Sequence, residues 1–198
     1  MKERPSEAQI ASWFAETGAL LQGHFKLSSG RHSEVYLEKF AVIQHPEYTT
    51  RLCAAVAQEY AGAGVETVIG PLTGGAILAY EVARHLGVRF LFPERVEGQM
   101  TLRRGFSVRP GERVLVVEDV VTTGGSVKEV LAMLTGLGAE VVGLASLIDR
   151  SGGLATFPVP FTPLWRVNAV SWAPEECPLC AAGVPLTQRG SRGLGDGR

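Results

Sequence analysis

The sequence predicts an α/β protein with a doubly wound, mostly parallel sheet flanked by helices, and three observations lead there. Short continuous apolar runs recur at residues 65–69, 88–92, 114–117 and 141–148. Helical periodicity separates them, over 76–86 and again over 127–137. None of the runs alternates apolar with polar residues, as a strand with one wet face would, so the sheet must be covered on both faces. A chain of 198 residues with 45% hydrophobic and 20% charged residues can bury one proper core, which predicts a single domain.

Taken in chain order, Ser6 followed by Gln9 reads as a capping box, and Ile10, Trp13, Phe14 and Leu21 follow it as an apolar stripe. Residues 24–40 alternate apolar and polar on both sides of a Ser-Ser-Gly turn and predict a hairpin. Pro46 opens a helix carrying Leu52, Val56 and Tyr60 on one face. The repeating strands and helices come next, interrupted by a long polar loop at 94–107. From about residue 156 the chain is rich in proline and glycine and reads as irregular, with a tail of small polar residues. Residues 41–155 are therefore expected to form the core, with about 1–40 and 156–198 as a small hood.

The net charge of −1 argues against a general nucleic-acid binder, which is usually clearly basic. No window approaches the roughly 18 uninterrupted apolar residues of a membrane span, and the N-terminal residues lack the apolar segment of a secretory signal. Three cysteines are too few for a disulfide scaffold, which makes a cytoplasmic location the expectation.

The stretch VLVVEDVVTTGGSV, residues 114–127, is where chemistry is expected. It runs an apolar strand into two adjacent carboxylates, Glu118 and Asp119, and then into a loop of small polar residues. In open α/β sheets ligands bind outside the carboxyl ends of the strands. There the acids can accept hydrogen bonds from a polyhydroxyl ligand such as a ribose. Thr122, Thr123, Gly124, Gly125 and Ser126 lead into a helix expected near Val127, a setting where converging N–H groups and the helix terminus favour a phosphate. No Gly-Lys-Ser/Thr follows, so this is not a Walker loop, and the dinucleotide fingerprint Gly-x-Gly-x-x-Gly is missing. A simpler reading makes Ser126 the helix N-cap, which leaves the paired acids and paired glycines unexplained.

Apolar strand, two acids, two apolar residues, then Thr-Thr-Gly-Gly-Ser closely resembles the phosphoribosyl diphosphate (PRPP) motif of type I phosphoribosyltransferases. FKLSSGRHSEVYL, IGPLTGGAILA, ERVEGQMTLRRGF, LIDRSGG and ECPLCAAGVPLTQRGSR resemble, in turn, segments of the orotate phosphoribosyltransferase family. The resemblance implies that Glu118 and Asp119 contact the ribose hydroxyls and act in catalysis, with Val120 and Val121 beside them. It makes 122–126 the cradle of the 5′-phosphate and Leu72, Thr73, Gly74 and Gly75 the pyrophosphate loop. It places Arg150, Tyr36 and Thr122 at the orotate base. The loop at 94–107 becomes a mobile lid that reaches a partner subunit's site, implying a homodimer. Where many members carry a catalytic lysine in that loop, this chain has Arg95 and Gln99, so Arg95 is the expected catalytic cation, with Arg103 and Arg104 as further candidates. Some members also carry a lysine where this chain has Gly74.

The implied reaction converts orotate and PRPP into orotidine 5′-monophosphate and pyrophosphate. Mg²⁺ is the expected cofactor, held mainly by PRPP and not by protein ligands. A purine phosphoribosyltransferase shares the PRPP motif and is the enzymatic alternative. A non-catalytic PRPP-responsive regulator is the other, although nothing in the short N-terminal segment reads as a DNA-binding helix pair. Cys177 and Cys180 form a lone Cys-x-x-Cys, read as plain thiols, with a zinc half-site across a dimer as the alternative. His24, His32, His45 and His85 fit no ligand spacing and are expected in surface or capping roles.

Overall fold

The computed structural model describes residues 4–27, 29–167 and 170–188. Ser28, the first residues and most of the polar tail lie outside that set. The helix α1 (Glu7–Glu16) begins at Ser6, whose hydroxyl accepts from the Gln9 amide, and buries Ile10, Trp13 and Phe14. The predicted hairpin follows as β1 (Leu20–Lys26) and β2 (His32–Leu37), then the short helix α2 (Lys39–Ile43). Pro46 occupies the first turn of α3 (Pro46–Tyr60), which buries Leu52, Val56 and Tyr60.

The core units are β3 (Thr67–Ile69), α4 (Gly74–Leu86), β4 (Arg89–Leu91), β7 (Arg113–Val121), α5 (Gly125–Gly136), β8 (Glu140–Asp149) and β9 (Phe161–Arg166). Between β4 and β7 lies a small hairpin, β5 (Glu94–Val96) and β6 (Gln99–Thr101). The five core strands form one parallel sheet in the order β4-β3-β7-β8-β9, with β7 at its centre. Side chains alternate along β7 as a pleated strand requires. Leu115 and Val117 join α1, α3 and α4 on one face, whereas Val114 and Val116 join α5 on the other. Both faces are thus covered, which is why β7 reads as an unbroken apolar run.

Three expectations need correction. β7 does not stop at Val117 but continues to Val121, so Glu118 and Asp119 lie inside the strand, with Glu118 paired in register with Ser146. The helix after it starts at Gly125, two residues before the expected Val127, and Gly124 is its cap instead of Ser126. The region from 156 onward is not irregular: β9 extends the core sheet at its edge. Pro163 disguises it, since proline is tolerated in a sheet only where a ladder hydrogen bond is dispensable, as on an edge strand. The core therefore takes in residues that composition assigns to the hood, and α1 packs on it too, with the Phe14 and Trp165 rings 5.3 Å apart.

The second sheet draws strands from both ends of the chain. Its order is β10-β2-β1-β11, with β10 (Ser171–Trp172) and β11 (Thr187–Gln188) flanking the hairpin. A 3₁₀ turn (Pro174–Glu176) and the short helix α6 (Pro178–Ala181) lie between those two strands. His24, His32 and Cys177 are buried here, and Cys180 lies beside them. This corrects the expectation of surface or capping roles for His24 and His32. Strand pairing brings together residues more than 140 positions apart, which sequence spacing does not reveal.

Candidate active site

The carboxyl ends of β3 and β7, adjacent strands, each turn into a helix N-terminus. After Ile69 the chain passes through 70–73 into α4, with a cis peptide between Leu72 and Thr73. After Val121 it passes through 122–124 into α5. Neither helix has a side-chain cap bond at its N-terminus. Leading amides without such a cap, at the positive end of a helix dipole, make an anion site. Two such termini on neighbouring strands suit the two phosphate groups at opposite ends of one ligand. Gly124 reaches its left-handed conformation (φ 75°) where a Cβ would meet the Phe157 ring at 2.7 Å, so a side chain is excluded twice over.

Glu118 and Asp119 sit between the two termini, 8% and 4% exposed. Asp119 Oδ2 pairs with Lys39 Nζ at 2.7 Å, and its Oδ1 accepts from the Val120 amide at 2.6 Å. Glu118 Oε1 accepts from the Asp119 amide at 2.9 Å. Burial, then the neighbouring Asp119 charge, pushes the Glu118 carboxyl up to about 8. At neutral pH Glu118 therefore holds its proton, and Lys39 faces Asp119. Gly74 and Gly75 are required here by contact with the acids: a Cβ would stand 1.9 Å from Asp119 Oδ2 at Gly74 and 2.9 Å from Glu118 Oε1 at Gly75. The α4 terminus is pressed directly onto the carboxylate pair.

Lys39 was missed in the sequence. Its one signal is scarcity: the chain has only four lysines, and this one directly follows the hairpin segment that carries a family signature.

Arg150 lies at the carboxyl end of β8, where its amide donates to the Val121 carbonyl at 2.8 Å and ties it to the end of β7. Burial holds its guanidinium below the ordinary arginine range, with the nearby Tyr36 acting the other way. Arg150 and Tyr36, assigned to one base subsite, are thus neighbours, and Tyr36 also stacks at 5.5 Å on Phe25. Asp149 does not pair with Arg150; it accepts from the Ser151 amide and lies 3.9 Å from Arg166. Among the described residues no carboxylate pairs with the half-buried Arg150 guanidinium.

Arg95 is not brought to this group. Its guanidinium donates to the Gly98 carbonyl, within its own hairpin, and pairs with Glu129 on α5. Arg104 pairs with Glu94 and lies over the Phe92 ring.

A phosphoribosyl transferase domain model matches residues 45–156, more than half of the chain. Orotate phosphoribosyltransferase from Desulforamulus reducens is 52% identical over 184 residues, covering 93% of this chain and 96% of its own. The enzyme of that name from Carboxydothermus hydrogenoformans is 55% identical over 181 residues, covering 90% and 95%. The chain belongs to the orotate phosphoribosyltransferase family. A solved structure of the family, from Aeropyrum pernix, superimposes with a TM-score of 0.64 at 29% identity, covering 79% of this chain and 93% of that one. The matched residues 45–156 take in the β7 acids, the loop after them and both helix termini. No described helix is long and apolar enough to cross a membrane.

Proposed function

We propose that this protein transfers the phosphoribosyl group of PRPP to orotate, giving orotidine 5′-monophosphate and pyrophosphate. The observation that carries the choice of base is Arg150: a half-buried guanidinium with no carboxylate partner among the described residues, beside Tyr36 and tied to the end of β7. A half-buried cation in that state is matched by an anionic ligand, and orotate differs from purine bases by its carboxylate.

PRPP spans the two helix termini. The 5′-phosphate takes the amides and hydroxyls of 122–126 at α5, and the pyrophosphate takes Leu72, Thr73, Gly74 and Gly75 at α4. Glu118 and Asp119, with Val120 and Val121 holding them in the strand, accept from the ribose 2′- and 3′-hydroxyls; Thr122 lies where sugar and base meet. Breaking the anomeric C–O bond leaves positive charge on the ribose ring, and the Asp119 carboxylate beside it stabilises that charge electrostatically. Orotate N1 gives up its proton to solvent and bonds to the anomeric carbon as the pyrophosphate departs with the electron pair of the broken C–O bond.

The oxygen donors of Glu118 and Asp119 suit a hard cation such as Mg²⁺. Lys39 already occupies Asp119 Oδ2, which leaves the ion to be held mainly through the oxygens of PRPP. When bound, Mg²⁺ neutralises charge on the leaving group. Arg95 on its hairpin becomes the catalytic cation when that hairpin closes over the site, breaking the exposed pair with Glu129; the partner subunit of a homodimer is the site it reaches. The setting is a cytoplasmic one.

The test is formation of orotidine 5′-monophosphate from orotate, PRPP and Mg²⁺, with adenine and hypoxanthine in competition. Orotate turnover at least 100-fold above either purine supports the proposal. Folded protein without turnover, or with a purine preference, overturns it.

A further inference from the structure

The hood holds a second cluster of reactive side chains that the PRPP chemistry does not use. Lys26 pairs with His32 across the β1–β2 ladder, which makes His24 the diagonal neighbour of His32 on the same face. The turn from Cys177 into α6 brings the Cys-x-x-Cys pair against that face. His24 Nε2 lies 3.1 Å from His32 Nδ1, 3.4 Å from Cys177 Sγ and 3.7 Å from Cys180 Sγ, while Cys180 Sγ lies 3.3 Å from His32 Nδ1. All four ligand atoms fall within 4.8 Å of one another.

We propose that His24, His32, Cys177 and Cys180 form a structural zinc site that fastens the C-terminal segment to the N-terminal hairpin. With zinc–nitrogen bonds of about 2.05 Å and zinc–sulfur bonds of about 2.3 Å, a tetrahedral site has edges of about 3.3 Å (N···N), 3.6 Å (N···S) and 3.8 Å (S···S). The N···N separation and the three N···S separations given above fall within a few tenths of an ångström of those edges. The protonation pattern agrees. His24 Nδ1 lies 2.8 Å from the Val184 carbonyl oxygen, which can only accept, so the ring proton sits on Nδ1 and Nε2 presents its lone pair to the cluster. A metal-bound histidine is normally oriented in this way, its other nitrogen donating to a carbonyl. Two thiolates and two imidazoles in a closed tetrahedral set suit zinc and leave no position for a substrate.

The ion would connect elements that few paired residues join, since among the described residues β11 contributes Thr187 and Gln188 beside β1. Binding converts both thiols to thiolates and releases two protons to solvent. Without metal, the same atoms are satisfied differently: His32 donates from Nδ1 to His24 Nε2, and the cysteines remain neutral thiols.

The deciding measurement is metal content of the untagged full chain, grown with added zinc and purified without chelator. About one zinc per chain is expected, released when the thiols are blocked with a mercurial reagent. Replacement by cobalt(II) is expected to give the visible absorption of a four-coordinate ion together with a near-ultraviolet thiolate charge-transfer band. A chelator should lower the thermal midpoint of the wild-type chain by several degrees and leave that of Cys177→Ser/Cys180→Ser unmoved. Zinc content far below stoichiometric, with two freely titrating thiols or a Cys177–Cys180 disulfide, overturns the proposal. So does stoichiometric zinc that survives in the double cysteine variant. The cobalt spectrum needs only the wild-type chain and decides the matter even where a variant fails to fold.

Discussion

The two ends of β7 both bury carboxylates and treat them in opposite ways. At the amino end Glu112 is enclosed, and burial alone would push its carboxyl up. The Arg109 amide, the Thr67 hydroxyl and Arg89 outweigh burial and bring it down to about 2. At the carboxyl end Glu118 has no cation of its own, and burial beside Asp119 pushes it up to about 8. One end is a closed ion cluster whose partners are all supplied by the chain. The other has, among the described residues, one lysine for two acids, two helix termini without side-chain caps and an arginine without a carboxylate. The difference separates stability from function along a single strand, in the direction that open α/β sheets generally follow.

The sharpest way to break that comparison is to change one acid at each end. Asp119→Asn removes the ribose acceptor charge and strands Lys39, and should lower kcat/KM for PRPP by roughly 10²–10³-fold, the scale of losing one electrostatic contact to a transition state. Its urea midpoint should stay near wild type. Wild-type kinetics would show that the acids serve another purpose. Glu112→Gln should do the reverse. Its lowered carboxyl contributes stability present above the unfolded value of 4.5 and lost as pH falls toward 2, so the variant should lose about 2–4 kcal/mol at neutral pH. Steady-state constants of the folded fraction should be unchanged; a kinetic defect there would blur the division between the ends.

Arg150→Ala probes the carboxyl end from the neighbouring strand. The KM for orotate should rise about 10–100-fold while that for PRPP moves little, as expected when one charge-assisted contact to a buried carboxylate is removed. An unchanged orotate KM removes Arg150 from the base site.

Much of this was legible in the sequence, for identifiable physical reasons. β7 and β8 show as apolar runs because both their faces are covered, and Pro46 marks α3 because its ring fits a first helical turn. The PRPP stretch could be read because all its parts are local: acids, loop and helix start follow one another within fourteen residues. What stayed hidden depends on contacts between distant residues. Lys39 meets Asp119 across eighty positions, and the His24, His32, Cys177 and Cys180 cluster joins the two chain ends. The edge strand β9 escaped because Pro163 breaks the pattern by which strands are recognised. Arg95 shows the same limit in reverse: its segment is recognisable, yet its partner in this structure, Glu129, follows only from the folded packing.

The smallest expected effect concerns the raised acid itself. In the unfolded chain Glu118 loses its proton near pH 4.5, whereas in the folded protein it keeps it to about 8. Between those values the folded state binds the extra proton, so stability falls as pH rises from 4.5 to about 8 and levels off above. Glu112 adds nothing to that slope, because its own window lies below 4.5. Glu118→Gln keeps a group of the same shape that cannot ionise, and should flatten the decline. Urea unfolding across this range should show the wild-type midpoint dropping toward alkaline pH and the variant crossing above it. Parallel profiles would mean that Glu118 ionises normally, leaving two full charges against Lys39 and removing the contrast between the ends of β7. The variant should also keep more activity than Asp119→Asn, because a protonated carboxyl and an amide are similar partners for a ribose hydroxyl.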